Sequence, residues 1–557
     1  MRELETEVVV IGGGATGAGV LRDLAIRGIK AILVEQQDLV HGTSSRYHGL
    51  LHSGARYAVG DAETARESYE ENLIVKRTVP GSVEDTGGLF VKVPQDDDAF
   101  VQKWLEGCQN AGIPIKEVPL EQAFLEEPSL SKDIQAAYHV PDGAVDGFTL
   151  VVDVTADAVR RGSRVLTYHQ VEQMIMRENR VVGVIVRNVN TGEQIEIHAN
   201  MVVNATGPWA ARIAALAGSE VHMINNRGML VVFHHRFNKK VINRLRKPGD
   251  ADIFVPAHNV TIFGTTGVNV PEPDDFSLSR EEVDKMLRDG KAMISGVEQM
   301  RIIRAFAGVR PLYQEKGAIG DSGRNVSRGM ALLDHQTRDG IEGIITVTGG
   351  KFTTFRYMAE KTVDLVCEKL SVSAKCTTAE EIVPHREAKE FFKEVNMAPA
   401  AKQKLSHWAG NRAEKIKKTL QEQDLLNIVV CECEQVTLGE IESVLTDGKF
   451  HLGDIRRRTR LGMGTCQGTF CNFRAAAIAV ERGITTSEEA NKALLDAVAE
   501  RQKGMKVVAT GETAKQLDLM NTIYHVSLGM GKRGRKLMYD LGCDRSRLNW
   551  NVVSNLG

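Results

Sequence analysis

The stretch Val8 to Glu35, VVVIGGGATGAGVLRDLAIRGIKAILVE, limits what this chain can fold into more than any other. Val8, Val9, Val10 and Ile11 form a short apolar, β-branched run, as a strand buried on both faces of a parallel sheet requires. Gly12, Gly14 and Gly17 follow at once with the spacing G-x-G-x-x-G. The first glycine permits a sharp turn, the second lets a pyrophosphate approach the backbone, and the third lets helix and strand pack closely. Ala15 and Thr16 open the helix, whose free N–H groups and positive dipole end face the phosphates. Ala31 to Val34 make the next strand, and Glu35 ends it twenty-one residues after Gly14. An acid there bonds a ribose hydroxyl and repels a 2′-phosphate. Strand, turn, helix, strand and acid all indicate an adenine dinucleotide other than NADP. They do not by themselves choose between FAD and NAD.

With 557 residues the chain is too long for one ordinary core, so two or three domains are expected. A formal net charge of −2 gives no electrostatic case for nucleic acid. No apolar run reaches the roughly 18 residues of a membrane span. The acidic start MRELETEVVV enters the first strand directly and reads as neither secretory signal nor transit peptide. Cys108, Cys367, Cys376 and Cys543 are scattered and read as ordinary thiols. Cys431, Cys433, Cys466 and Cys471 cluster, and without an export signal a cluster suggests a metal site before disulfides.

The pattern predicts helices over Asp61 to Thr78, Gln95 to Ala111, Leu120 to Glu127 and 150–162. Arg164 to Ala199 read as a meander of strands, and 228–270 are again β-rich. Two later segments repeat the strand–turn–helix theme. One is the strand leading to Ala205, Thr206, Gly207 and Trp209; the other is the strand leading to Gly349, Gly350 and Lys351. An NAD enzyme needs one fingerprint. A FAD enzyme of the two-domain oxidase type also needs the chain to return to the cofactor from far downstream, and these two turns supply such returns. Taken together the pattern reads as a flavoprotein whose reductant is the substrate itself.

Oxidising a secondary alcohol by a flavin needs a hydride acceptor and a group that takes the hydroxyl proton. His52 is the best candidate base or orienting group, with a flavin or backbone contact as the alternative. Lys351 is placed to stabilise negative charge on the reduced flavin or the substrate oxygen. Thr353 and Thr354 bond flavin or substrate, or cap the following helix.

The motifs GGGATGAG, HGLLHSGARY, VNATGPW, GVRPL and GGKFTTFR make residues 1–370 resemble the FAD-dependent glycerol-3-phosphate dehydrogenases of the amino-acid-oxidase-like superfamily. HGLLHSGARYAV, RKPGDADI, GRNVSRG, LLDH and the C-terminal CECE and RRRTRLGMGTCQG are similar to the catalytic subunits of its anaerobic, respiratory members. The resemblance implies an α/β (α+β) fold, with a Rossmann-type FAD-binding domain interleaved with a β-rich substrate domain and a small cysteine module behind. It implies that Arg56 and Arg310 hold the substrate phosphate, the alternative being structural ion pairs. It sets Thr43, Ser44 and Ser45 along the FAD, and His48 near the flavin, where some members attach it covalently. Arg324 and Arg328 read as solvated loop arginines, with help at the phosphate as the alternative.

The same resemblance makes residues 426–484 a bacterioferritin-associated ferredoxin-like [2Fe–2S] module, preceded by a linker over 371–425 and followed by a partly helical tail over 485–557. Its pattern closes with C-x2-C, whereas Cys466 and Cys471 stand as C-x4-C. Zinc is the structural rival for four thiolates. Arg456, Arg457, Arg458 and Arg460 offset cluster charge, form a solvated face or meet a partner.

The function so implied is oxidation of glycerol 3-phosphate to dihydroxyacetone phosphate. Electrons leave through partner flavin or iron–sulfur subunits at the inner face of the cell membrane, which makes the chain cytoplasmic and peripheral. Two rivals remain: a FAD-dependent oxidation of another hydroxy acid or amine, and a noncatalytic electron-transfer role.

Overall fold

The expected opening unit is present: strand Arg2–Ile11, helix Ala15–Ile26 and strand Ala31–Glu35. The computed structural model describes residues 2–315, 329–384, 392–409, 412–413, 416, 428–445 and 450–527. Val8, Val9 and Val10 are fully buried, because helices cover the face of Val8 and Val10 and the strands His169–Arg177 and Arg180–Asn188 fold over that of Val9. Arg2–Ile11 pairs in parallel with Ala31–Glu35 on one side and with Gln194–Asn204 on the other. Arg164–Thr167 extends the first edge. The hairpin strands His169–Arg177 and Arg180–Asn188, and the later strand Ile344–Gly349, extend the second. Met330–Asp334 pairs antiparallel with Ile344–Gly349, so eight described strands share one sheet.

A second sheet of nine described strands is mostly antiparallel. Its longest pairing joins Met223–Phe233 to the edge strand Ile302–Tyr313. Its own core packs Phe233, Phe254 and Phe263 beneath the helix Arg280–Gly290. The chain crosses between the two sheets several times, so the interleaving expected from sequence is observed. Helices stand close to their expected ranges: Ala62–Thr78 with Asp61 as N-cap, Asp98–Asn110, Leu120–Glu126 and Gly147–Arg160.

Two boundaries differ from the sequence expectation. Helix Phe355–Leu370 closes the first domain as expected, but the following loop stays on it. Val383 lies in that core and its N–H donates to Thr78 O at 2.7 Å. A charged, polar segment hides such docking because most of its side chains do remain in water. The expected tail is not separate either. Helices Ser487–Lys506 and Gly511–Ser527 share one apolar core with the cysteine segment, from Val430 and Ile441 to Leu494, Met505 and Tyr524. Arg324, Arg328 and Cys543 lie outside the described residues.

Candidate functional site

A cavity of about 1870 Å³ runs between the two sheets, from Gly12, Gly14, Ala15, Thr16 and Glu35 to Gly349, Gly350 and Lys351. Gly12 has φ +111° and its α-carbon side abuts Ala205 O, so only glycine turns there. Gly17 does not line the cavity. A Cβ on it would come 1.9 Å from Gly12 O, which is the close helix–strand packing expected of the third glycine. Glu35 accepts N–H bonds from Gly13 at 2.7 Å and from Gln37 at 2.9 Å, so it braces the turn as well as facing the ribose position. Burial raises its carboxyl pKa despite those bonds.

The next loop divides its labour. Ser44 accepts from Ala15 N at 3.0 Å and Thr43 donates to Val309 O at 2.7 Å, and both line the cavity. Ser45 instead donates to Gly42 O at 2.9 Å and closes its own turn outside the cavity wall. Ala205, Thr206, Gly207 and Trp209 arrive from the first downstream return, and Gly349, Gly350 and Lys351 from the second. A Cβ on Gly350 would meet Met358 Sδ at 2.3 Å, so this turn must be bare to approach a ligand. Thr353 is a correction. It is buried behind the wall and accepts from His52 N at 3.0 Å, so it positions the histidine strand rather than touching a ligand. Thr354 caps the turn, accepting from Lys351 N at 3.2 Å.

His48, His52, Arg56, Arg310 and Lys351 converge at the far end. The rings of His48 and His52 lie 5.9 Å apart, and His52 lies 5.3 Å from Tyr57, over which Lys351 Nζ sits at 5.2 Å. Arg56 comes from the short turn Ala55–Tyr57, and Arg310 from the edge strand Ile302–Tyr313 of the second sheet. Arg56 Nη2 donates to Asp252 Oδ2 at 2.8 Å and to Gly249 O at 3.2 Å. Its Nη1 is buried with no hydrogen-bond partner. Both readings of Arg56 thus hold in one side chain: a structural pair at one nitrogen, an open donor at the other. Arg310 donates to Asn226 Oδ1 at 2.6 Å and to Thr266 O at 3.0 Å, and Gly228 leaves room for its guanidinium.

Burial, then the charges of Arg56 and Arg310, pull His48 down to about 3. Burial, then His48, Arg56 and Lys351, hold His52 well below its ordinary value. Both rings are neutral at pH 7. His48 Nδ1 accepts from Leu50 N at 3.1 Å, so its neutral ring carries the proton on Nε2. Burial would raise Asp252, but Arg56 and Arg246 outweigh it and keep the carboxylate charged. Sequence reasoning passes over Tyr47, Tyr57, Asn226 and the loop Lys247 to Asp250, all of which line this end. The polar loop RKPGDADI is visible as a motif, but its placement against Arg56 depends on strand order.

The cavity fits a FAD in length and in its two differing ends, one of bare backbone and acid, the other cationic.

The cysteine cluster is a second centre. Cys431 lies at the end of strand Val429–Cys431, and Cys471 opens helix Cys471–Glu481. Cys431 is lowered by a hydrogen bond from Cys471, and Cys466 to about 2 by bonds from Cys433 and Cys471. Those same bonds raise Cys471 and Cys433. All four sulfurs are therefore in contact, Cys471 included, despite the C-x4-C spacing. Backbone amides of Glu434 and Gly462 point at Cys431 Sγ, and those of Gly468 and Thr469 at Cys466 Sγ. Such N–H donors stabilise sulfur charge in iron–sulfur sites. Among the described residues no three or more His, Cys, Asp or Glu surround a single-ion position. The links run from Cys431 to Cys471, on to Cys466 and then to Cys433, so the four thiols gather at one site.

The module is docked on the first domain. Arg458 and Arg457 grip Asp38, just beyond Glu35, and Arg460 bridges Glu434 and Asp146. The arginine run is neither a solvated face nor a partner surface at these positions. Asn259 Nδ2 donates to Cys433 O at 2.7 Å.

Residues 7–365 match the family model described as FAD dependent oxidoreductase, and residues 429–481 match that described as BFD-like [2Fe-2S] binding domain. A subunit of the anaerobic glycerol-3-phosphate dehydrogenase of Escherichia coli (strain K12) is 42% identical over 532 residues, 95% of this chain and 97% of that protein. The corresponding subunit of the anaerobic enzyme of Haloferax volcanii is 40% identical over 535 residues, 94% of this chain and 90% of the other. The solved glycerol-3-phosphate dehydrogenase of Bacillus halodurans, complexed with FAD, has a TM-score of 0.60 at 22% identity, covering 94% of this chain and 95% of its own. At that identity the likeness shows the fold.

Proposed function

The chain belongs to the FAD dependent oxidoreductase family, among the catalytic subunits of anaerobic glycerol-3-phosphate dehydrogenases, and on that premise we propose how its site oxidises sn-glycerol 3-phosphate to dihydroxyacetone phosphate. The observation that carries the reading is a pair of arginines, one from the turn Ala55–Tyr57 and one from the second sheet, facing one cavity end, the first with a buried, unpartnered nitrogen. A phosphate dianion fits that demand, because guanidinium forks bond tetrahedral oxyanions at several oxygens.

FAD, held by Gly12, Gly14, Ala15, Thr16, Glu35, Ser44, Ala205, Gly207 and Gly350, supplies the hydride acceptor when bound. Arg56 and Arg310 hold the phosphate. His52 takes the hydroxyl proton, since its backbone is anchored by Thr353 and its ring faces the cavity. His48 serves as a donor through Nε2–H, because Nδ1 is occupied by Leu50 N–H. The depressed His52 is by itself a weak base. A bound dianion offsets the arginine charges and raises it towards the range where proton transfer is efficient. Lys351 stabilises the charge that gathers at the cofactor end as the hydride leaves.

Cys431, Cys433, Cys466 and Cys471 would hold a [2Fe–2S] cluster, which would supply a one-electron path from the flavin domain to partner subunits. The relatives are themselves named as one subunit of a larger enzyme, which supports such an assembly. No helix among the described residues is long and apolar enough to cross a membrane. The partners are what hold the chain at the inner face of the cell membrane.

Anaerobic mixing of FAD-loaded protein with glycerol 3-phosphate bleaches the flavin absorbance on this reading, and glycerol alone does not. Bleaching by a hydroxy acid or amine instead would favour the rival substrate class. No bleaching by any of them would leave only the electron-transfer role.

A further inference from the structure

Arg501 lies on helix Ser487–Lys506 and is 2% exposed. Its guanidinium reaches into the cysteine loops from behind. Nη1 donates to Gln467 Oε1 at 3.2 Å, beside Cys466. Nη2 donates to Gly462 O at 3.0 Å, and the N–H of Gly462 points at Cys431 Sγ. Its Nε is buried with no hydrogen-bond partner. No carboxylate among the described residues lies within salt-bridge distance of Arg501. Its surroundings are cationic as well: Arg456 and Arg304 face it, with Glu500 as the one nearby carboxylate, itself paired with Lys503 at 3.1 Å. Burial, then Arg456 and Arg304, hold the guanidinium well below its ordinary value, while Cys471 acts in the opposite sense.

A buried cation without a counter-charge is costly, and natural proteins pair such groups. The missing anion is next door. Four thiolates and two sulfides outweigh two ferric ions, so a [2Fe–2S] site is a net anion, and one added electron makes it more so. We propose that Arg501, backed by Arg456, is the built-in counter-charge of the cluster and sets its reduction potential above what the four thiolates alone would give. The inference rests on the four-cysteine reading of the cluster. A cation held against the cysteine loops favours the reduced, more anionic state, which makes the cluster a better acceptor for electrons leaving the flavin. No bond is made or broken; one electron enters and one ferric ion becomes ferrous.

The test is a potentiometric titration of the full-length holoprotein, with the reduced cluster read by electron paramagnetic resonance and iron and sulfide assayed beside it. Arg501→Gln keeps a polar side chain and removes the charge; Arg501→Lys keeps the charge and removes the fork. The expected result is a tenfold or larger fall in the reduced-to-oxidised ratio at fixed potential for Arg501→Gln, about 59 mV for a one-electron couple, with Arg501→Lys within a small fraction of that. Loss of the cluster in the Gln variant but not in the Lys variant would also support the counter-charge. An unchanged potential in an intact Gln variant overturns it, as does equal cluster loss in both variants, which marks a structural clamp. Wild-type protein with no acid-labile sulfide would refute the four-cysteine reading itself, a result distinct from these.

Discussion

At the residue scale, Arg56 shows how one side chain divides between structure and chemistry. Asp252 fixes one nitrogen and leaves the other unpartnered in the cavity wall. Arg56→Lys keeps the charge but loses the guanidinium fork, and Arg310→Lys does the same from the second sheet. Each substitution should raise the half-saturating glycerol 3-phosphate concentration roughly tenfold to a hundredfold, the worth of one charge-assisted bond, with smaller change in the limiting rate. Steady-state kinetics with an artificial acceptor measures this. The histidines give a pH prediction. His48 titrates near 3 in the fold and near 6.5 when unfolded, so between those values the unfolded chain binds the extra proton. Stability is therefore full above about 6.5 and falls on acidification. His48→Asn should flatten the slope of melting temperature against pH between 4 and 6, by up to about 1.4 kcal/mol per pH unit. Inorganic phosphate should protect the wild type there. The types of these residues were legible in HGLLHSGARY and GVRPL; that Thr353 props His52 and Ser45 turns away was not, since each depends on a partner or a fold-level placement that local pattern does not encode.

At the element scale, the first βαβ unit behaves as its glycines dictate. Helix Ala15–Ile26 approaches its strand so closely that a methyl at Gly17 would overlap Gly12 O. Gly17→Ala should push the helix off the turn, cost on the order of 1–3 kcal/mol, and yield protein with little bound flavin. Flavin absorbance per chain after purification checks it. Helix Ser487–Lys506 teaches the opposite lesson. Its sequence reads as an independent tail, yet Gly504 packs against Ala305 O of the second sheet and Leu494 lies in the cysteine module's core. A helix's own periodicity reveals that it has an apolar face, but not which of two neighbours receives it.

For the whole molecule, the cysteine module is bound to the flavin domain through charged contacts, chiefly Asp38 with Arg457 and Arg458. Asp38 is almost wholly buried, so Arg458→Gln should loosen the docking by roughly 1–4 kcal/mol, between the values for exposed and buried pairs. Limited proteolysis should then release the module faster, while substrate still bleaches the flavin. What the sequence by itself determined was local: the dinucleotide turn, the strand and helix periods, the two later turns and the four clustered cysteines. These follow from residue-by-residue backbone preference and from burial pattern, which operate over a few neighbours. Only the tertiary structure decided that the arginine run lies inside an interface, that Cys471 joins the other sulfurs despite its spacing, and that Arg501 stands behind them. Those outcomes depend on which surfaces meet when separate segments dock, and long-range packing sets that meeting.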